Sequence, residues 1–223
     1  MKVCCITNPG DLRLAAAAGA DAVGLVGPMP SGTGIVSLDT ARTLAALTPP
    51  PVATFLLSSA TEPGRLVAEA RAVGPTVLQI VDRVPAAAYR LLRAEFPALR
   101  LVQVVHVAGL DETLDEACRA AEDCDAVLLD SGSRAGPVPS LGGTGRVHDW
   151  AVSRRVVAAV AKPVILAGGL RPGNVAEAVR TVRPFAVDVC TGLRTGGRLD
   201  PAKLHAFVAA VAEADRDRPP PGY

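Results

Sequence analysis

The segment from residue 52 to residue 80 shows the pattern that decides the fold, VATFLLSSATEPGRLVAEARAVGPTVLQI. Val52–Leu57 and Thr76–Ile80 are short apolar runs, and Pro63–Val73 between them has the apolar spacing of an amphipathic helix. The apolar runs do not alternate with polar residues, which is typical of strands buried on both faces of a parallel sheet. The segment therefore predicts a strand, a helix and a second, parallel strand.

This strand–helix unit recurs about eight times along the 223 residues. A doubly wound open sheet usually has fewer strands and a glycine fingerprint after the first one, and the segment Cys5–Gly10 is not such a fingerprint. The pattern therefore predicts an α/β fold with a single (β/α)8 TIM barrel. We expect the barrel domain to span residues 1–214 and residues 215–223 to form a disordered tail. The remaining predicted strands are Lys2–Ile6, Ala22–Val26, Leu101–His106, Ala126–Asp130, Pro163–Ala167 and Ala186–Val189.

Composition excludes several classes of function. A net charge of +1 without a basic run gives no reason to expect a nucleic-acid partner, and no apolar run reaches the 18 residues of a membrane span. The N-terminus shows no signal peptide, so a cytoplasmic protein is expected. The odd number of cysteines and the lack of CxxC spacing predict reduced thiols and no metal site. These cysteines are Cys4, Cys5, Cys118, Cys124 and Cys190.

Active sites of TIM barrels lie on the loops that follow the strands, and two such loops here are rich in glycine. They are Ala167–Leu170 after the seventh predicted strand and Cys190–Gly192 after the eighth. Backbone N–H groups can approach an anion closely at glycine, which favours a phosphate site at Gly168, Gly169, Thr191 and Gly192. The alternative is that these glycines only form tight turns.

Asp130 is the one carboxylate that ends an apolar strand, and it is costly to bury unless it is paired or functional. A helix cap or a structural ion pair is the alternative for this residue. Cys4 and Cys5 lie within the first strand, where a cysteine is usually a small core residue. His106 is more often a buried structural residue than a catalyst.

Ordered motifs over almost the whole chain resemble the phosphoribosylanthranilate isomerase family. The opening Lys2–Asn8 segment resembles that of the family, and Leu128–Ser131 resembles its sixth strand. The two most specific matches are GGTG (residues 142–145) with Asp149-Trp150, and Leu166–Pro172 with Asn174-Val175.

The resemblance implies an Amadori rearrangement of an N-(5-phosphoribosyl) arylamine, as in tryptophan biosynthesis, within a TIM barrel. It implies Cys4 as the general base and Asp130 as the general acid, and it requires no metal or organic cofactor. The partner it implies is a small phosphorylated sugar-amine. The sixth loop, which would cover the site, contains Gly142, Gly143, Thr144 and Gly145.

The match fails at the end of the site that would bind the aryl group. Gly34 occupies the place of the family arginine that pairs with the anthranilate carboxylate, and Val81 replaces a family histidine. Cys5 replaces the family glycine after the base, which leaves open whether Cys4 or Cys5 faces the substrate. Gly34, Val81, His106 and Arg134 are the candidate aglycone pocket, with Arg134, Arg194, Arg198 and His106 as candidate replacement donors.

Three functions are consistent with these residues. The first is the isomerisation of phosphoribosylanthranilate, with another donor in place of the missing arginine. The second is the same isomerisation of a different amine in a specialised pathway, which Gly34 and Val81 favour. The third is a non-catalytic barrel that binds a sugar phosphate, against which the presence of both Cys4 and Asp130 argues. The sequence leaves the oligomeric state open.

Overall fold

A computed structural model describes residues 1–132 and 147–216. Eight parallel strands form a closed barrel in sequence order, and β1 pairs with both β2 and β8. The predicted TIM barrel is therefore confirmed. The strands are β1 (Lys2–Val3), β2 (Ala22–Val26), β3 (Ala53–Ser58), β4 (Val77–Ile80), β5 (Arg100–His106), β6 (Ala126–Asp130), β7 (Val164–Leu166) and β8 (Ala186–Val189).

A helix follows each strand and covers the outside of the barrel. Polar side chains fix several helix starts: Asn8 accepts a hydrogen bond from the Asp11 N–H, and Ser37 accepts one from the Thr40 N–H. No helix within the described ranges has the length and apolarity to cross a membrane. The helices are α1 (Pro9–Ala17), α2 (Leu38–Leu47), α3 (Pro63–Val73), α4 (Ala86–Glu95), α5 (Leu110–Asp123), α6 (Trp150–Ala159), α7 (Val175–Val182) and α8 (Pro201–Arg216).

The core has two parts because successive side chains of a strand point to opposite faces. One part lies between the strands and the helices and includes Val3, Leu56 and Leu129. The other fills the inside of the barrel and includes Phe55 and Leu128. Residues two apart on a strand therefore lie on the same face. The inward-facing residues at the carboxyl-terminal ends of the strands lie at the opening of the barrel.

The chain departs from the predicted elements near both ends. Strand β1 stops at Val3 rather than Ile6, because Cys5 has a left-handed backbone with φ of 62°. Helix α8 continues through Arg216, two residues into the segment predicted to be the tail. The apolar periodicity fades before the helix ends, and residues 217–223 lie outside the described part of the chain.

A short hairpin between β8 and α8 was missed from the sequence. Strands β9 (Arg194–Thr195) and β10 (Arg198–Leu199) pair in antiparallel fashion. Gly196 and Gly197 connect them with φ values of 56° and 79°, which suit a two-residue turn that needs two left-handed residues. The Gly-Gly pair was therefore the available signal for this hairpin.

Candidate active site

A cleft opens at the carboxyl-terminal ends of the strands. Cys4 approaches it from β1, Asp130 from β6, and Gly168, Gly169 and Thr191 from the loops after β7 and β8. The structure thus brings the sequence-predicted acid, base and most of the glycine-loop residues to one cavity. The other lining residues are Cys5, Val26, Met29, Ser31, Gly32, Thr33, Leu57, Gln79, Ala167, Leu170, Asp188, Val189 and Cys190.

The thiol of Cys4 is buried just below the opening. Its backbone N–H donates to the Val189 carbonyl at 2.8 Å, so the β1–β8 ladder continues through this residue. Gly24 makes room for the thiol, since a Cβ at that position would lie 2.6 Å from the Cys4 sulfur. Burial raises the pKa of Cys4 to about 11, while the nearby Lys2 ammonium acts to lower it and the Asp188 carboxylate to raise it.

Asp130 has the properties of a proton donor near neutral pH. Burial raises its pKa to about 6, and the Asp188 carboxylate acts in the same direction. The Ser131 backbone N–H donates to Oδ1 at 2.7 Å, and this bond acts to lower the pKa. A carboxyl group with this pKa holds its proton for a substantial fraction of the time at pH 6–7, which is what a general acid needs.

The loops after β7 and β8 form a rigid wall of the cleft. Gly168 and Gly169 have φ values of 84° and 65°, a left-handed backbone that favours glycine. Asn174 braces this turn, because its amide nitrogen donates to the Gly169 carbonyl and its Oδ1 accepts from the Arg171 N–H. Gly192 lets the two loops touch, since a Cβ there would lie 1.9 Å from the Leu170 carbonyl oxygen.

A second wall is formed by the loop after β2 and has a different character. Gly34 has a φ of 73°, and a Cβ there would lie 2.6 Å from the Cys5 Cβ. Met29, Thr33 and Leu57 contribute apolar and hydroxyl surface on this side. Among the described residues, no lysine, arginine or histidine lines the cleft.

Comparison with known proteins assigns this arrangement to a family. Residues 1–210 match the family model described as N-(5'phosphoribosyl)anthranilate (PRA) isomerase. The chain belongs to the phosphoribosylanthranilate isomerase family. A relative from Haloferax volcanii with that enzyme name is 43% identical over 216 residues, 96% of this chain and 93% of the relative. One from Methanocella arvoryzae is 36% identical over 204 residues, 92% and 93% of the two chains.

Solved structures of phosphoribosylanthranilate isomerases have the same fold. The Pyrococcus furiosus enzyme superimposes with a TM-score of 0.80 at 25% identity, over 95% of this chain and 98% of that one. A second structure has a TM-score of 0.77 at 27% identity, over 95% of this chain and 97% of that one. That isomerase is in complex with reduced 1-(o-carboxyphenylamino)-1-deoxyribulose 5-phosphate.

Several residues that the family pattern singled out lie away from the cleft. Val81 and His106 are buried but do not line it, and His106 pairs in register with Asp130 across β5 and β6. The Arg194 guanidinium donates to the carbonyls of Cys190, Cys4 and Cys5 instead of facing the cavity. Arg198 lies in the hairpin, with its side chain exposed. Arg134, Gly142, Gly143, Thr144 and Gly145 lie outside the described residues.

The prediction that all the cysteines are reduced thiols is wrong for one pair. Cys5 and Cys190 form a disulfide with a Cα–Cα distance of 5.9 Å. They are 185 residues apart, and only the closed barrel brings the ends of the first and last strands together. Cys4 remains a free thiol, so of the two cysteines left open by the sequence, Cys4 is the one available as a base.

Two charged residues of the site were missed because they lie within the strands rather than at their ends. Lys2 and Asp188 face each other across β1 and β8, and both are buried. The Lys2 ammonium donates to Asp188 Oδ2 at 2.7 Å. Lys2 and Asp188 are each a charged residue within an apolar strand. Because such charges are buried only when they are paired, the sequence could have predicted a partner for each. Within the described ranges, no cluster of histidine, cysteine, aspartate and glutamate has the arrangement of a metal site.

Proposed function

We propose that the protein catalyses the Amadori rearrangement of N-(5'-phosphoribosyl)anthranilate to 1-(o-carboxyphenylamino)-1-deoxyribulose 5-phosphate. The observation that carries this proposal is the joint position of Cys4 and Asp130 in one cleft with the glycine loops of β7 and β8. Family membership supports the reaction, and the arrangement supplies an acid, a base and an anion site without a metal or organic cofactor.

Asp130 is the acid of the first step. It donates its proton to the ring oxygen of the ribose as the bond from C1 to that oxygen breaks. The lone pair of the substrate nitrogen forms the C=N bond, which gives an open-chain iminium ion. Because the pKa of Asp130 is raised to about 6, the proton is available at a pH where an ordinary aspartate has lost it.

Cys4 is the base of the second step. Its thiolate removes the C2 proton, the C–H electron pair forms the C1=C2 bond, and the C=N π pair returns to nitrogen. The resulting enolamine becomes the ketone as C1 gains a proton and the C2 hydroxyl loses one, so composition is unchanged. Burial raises the pKa of Cys4 to about 11, so the thiolate forms in the substrate complex, where the Lys2 ammonium and the positive charge of the iminium both act to lower this pKa.

The phosphate binds at the wall formed by the β7 and β8 loops. The cleft is lined at this wall by Gly168, Gly169 and Thr191. A 3-10 helix of one turn, Thr191–Leu193, begins there. This position anchors one end of the substrate while its reacting carbons lie over Cys4 and Asp130. Small-barrel enzymes commonly bind phosphate at these two loops.

Turnover of N-(5'-phosphoribosyl)anthranilate by the purified protein tests the proposal. We expect activity that falls by about 10²–10⁴-fold in Asp130→Asn, the usual contribution of a general acid. Asp200→Asn is the control, because Asp200 caps α8 outside the cleft. An inactive wild-type protein, or an Asp130→Asn variant with full activity, would contradict the proposal.

The aryl wall favours a second candidate, the same rearrangement of an amine without a carboxylate. Gly34 packs on Cys5 where the family pattern has an arginine, and no described cation lines the cleft. Turnover of the N-(5-phosphoribosyl) derivatives of aniline and anthranilate decides between the two. A higher kcat/KM for the aniline derivative favours the second candidate, and a higher value for the anthranilate derivative favours the first.

A cytoplasmic location and a barrel domain of residues 1–214 are also part of this proposal. The family match to residue 210 and the end of the core near Ala214 support the domain limit.

A further inference from the structure

Two acceptor atoms inside the cleft have no hydrogen-bond partner among the described residues. They are Oδ1 of Asp188 and Oε1 of Gln79. Both residues line the cleft and both are buried, with 7% of Asp188 and 3% of Gln79 exposed. Buried acceptors are nearly always satisfied in native proteins, so two unpartnered acceptors on residues that line one cavity point to a ligand with hydrogen-bond donors.

The second oxygen of Asp188 shows that this carboxylate is held in place. Oδ2 accepts from the Lys2 ammonium at 2.7 Å, and the two residues are register partners across β1 and β8. The ammonium also lies 5.2 Å from the centre of the Phe55 ring. One oxygen of the carboxylate is thus bound to a fixed cation, and the other is a buried acceptor without a hydrogen-bond partner, on a residue that lines the cleft.

Lys2 also connects Asp188 with the proposed base. Lys2 and Cys4 are two residues apart on the same strand, so both side chains project into the barrel. They converge at Gly24, where a Cβ would lie 2.6 Å from the Cys4 sulfur and 3.1 Å from Cε of Lys2. The carboxylate of Asp188 is therefore next to the atom that would take the proton from C2.

We propose that Asp188 is a further substrate-contacting residue, whose Oδ1 accepts a hydrogen bond from the C2 hydroxyl of the ribose. Lys2 is its positioning residue, and no proton is transferred by either group in this role. The inference rests on the proposed function. The C2 hydroxyl is the group concerned because it shares a carbon with the proton that Cys4 removes. Holding that oxygen fixes the torsion of C2 and directs its C–H bond toward the thiolate.

The distribution of hydrogen-bond donors and acceptors in the cleft agrees with a substrate whose sugar hydroxyls lie at Asp188 and whose phosphate lies at the β7 and β8 loops. A phosphate oxygen cannot satisfy Oδ1, because both groups are anionic acceptors. Hydroxyl donors of the sugar satisfy Asp188 and Gln79 in the centre, while the backbone N–H groups of the β7 and β8 loops are left for the phosphate. The substrate is therefore bound in one direction only.

Binding of two matched ligands tests the contact directly. The probes are reduced 1-(o-carboxyphenylamino)-1-deoxyribulose 5-phosphate and its counterpart without the C2 hydroxyl, measured by calorimetry with wild type, Asp188→Asn and Glu116→Gln. Wild type should prefer the hydroxylated ligand by about 10- to 100-fold, the usual value of a hydrogen bond to a charged group. Asp188→Asn places an amide donor or a neutral acceptor there and should lose most of this preference.

Glu116→Gln is the matched control, since Glu116 is also a buried carboxylate paired with a cation, Arg83, but lies outside the cleft. It should keep the full preference. The wild-type measurement alone can overturn the proposal. It does so if wild type binds the two ligands equally, or if it binds neither of them. A preference that survives in Asp188→Asn overturns it as well. Wild-type turnover is measured separately, so failure of the proposed function is distinguishable from failure of this contact.

The positioning role of Lys2 has its own readout. Lys2→Met leaves Asp188 unpaired, so the double variant Lys2→Met/Asp188→Asn is measured beside it to keep the buried charge balanced. We expect Lys2→Met to lower kcat by about 10- to 100-fold with a smaller change in KM, and Lys2→Arg to recover part of the loss. A double variant with wild-type kcat and wild-type preference for the hydroxylated ligand would overturn this role.

Discussion

The two ends of the cleft are built in different ways. At the end proposed to bind phosphate, the Gly192 backbone lies against the Leu170 carbonyl of the β7 loop, and the Asn174 side chain braces that loop through the Gly169 carbonyl. At the aryl end, Gly34 packs on the side chain of Cys5. The phosphate end follows the family pattern in its residues, whereas the aryl end has replaced both a glycine and an arginine. The comparison places the departure of this chain from the family pattern at the end proposed to bind the amine.

One covalent bond joins the two ends. Cys5 lies beside Gly34 at the aryl end, and Cys190 precedes Thr191 at the phosphate end. The Arg194 guanidinium adds hydrogen bonds to the carbonyls of both cysteines. The two walls are therefore coupled through side chains of β1 and β8, and variants can break the coupling or either wall separately.

Breaking the cross-link should have the largest effect. Cys190→Ser is expected to lower the free energy of unfolding by about 2–5 kcal/mol, because the disulfide closes a long loop in the unfolded chain. Urea unfolding under oxidising conditions measures this. Cys118→Ser, at an exposed free thiol, is the control. Equal stability of Cys190→Ser and wild type would show that the bond does not form in solution.

Breaking the phosphate wall alone should come next. Gly192→Ala places a Cβ against the Leu170 carbonyl and forces the two loops apart. We expect KM to rise by about 10- to 100-fold, equivalent to roughly 1.4–2.8 kcal/mol of binding, with a smaller change in kcat. Gly173→Ala is the matched control, because a Cβ there meets no atom within 4 Å. Equal KM values for the two variants would show that the phosphate wall is not part of the substrate-binding site.

Breaking the aryl wall should cost less. Gly34→Ala is expected to destabilise the fold by about 1–3 kcal/mol, from its left-handed backbone and its contact with Cys5. Gly19→Ala has the same backbone cost, with a φ of 88°, but meets no atom within 4 Å. In a Cys190→Ser background, Cys5→Gly should lower the cost of Gly34→Ala, although contacts of 3.1 and 3.2 Å with the backbone of residue 5 keep it above that of Gly19→Ala. Thermal unfolding measures each difference, and an unchanged cost would exclude the contact as its cause.

Asp130 belongs to neither wall. Its variant therefore shows how much stability depends on a buried acid rather than on either wall. Its folded-state pKa of about 6 is above the unfolded value, so burial favours the protonated form, and stability falls as pH rises from about 4 to 6. Asp130→Asn should therefore be more stable than wild type by up to about 3 kcal/mol at pH 7.5 and equal to it near pH 4. Chemical unfolding at both pH values measures this, and a constant difference would contradict the raised pKa.

Much of the fold was readable because each strand–helix unit carries its own signals. The predicted bounds of β2, α3, β6 and β8 are the observed ones. Their apolar runs end at residues such as Gly27, Gly74 and Ser131, where polar or glycine loops begin. The β9–β10 hairpin was missed because its strands are too short to show a period.

The site was only partly readable for a different physical reason. Asp130 and the glycine loops stand at strand ends, where the fold predicts an opening. The Cys5–Cys190 bond and the Lys2–Asp188 pair depend on the closure of β1 against β8, between residues more than 180 positions apart. No local periodicity encodes that register. The left-handed backbone of Cys5 is a further consequence of its tertiary contacts and is unusual for a residue with a side chain.

The meeting of the first and last strands has a consequence for how the protein is made. Lys2 and Cys4 leave the ribosome first, yet Asp188, Cys190 and Arg194 are translated almost at the end of the chain. A nascent chain that is still short of β8 lacks the partner of a lysine that folds into the interior, and its first strand keeps an open edge. Such an open edge is a template for pairing with another chain until β8 is made. A chain that stops before β8 therefore keeps both an unpaired lysine and an unpaired first strand.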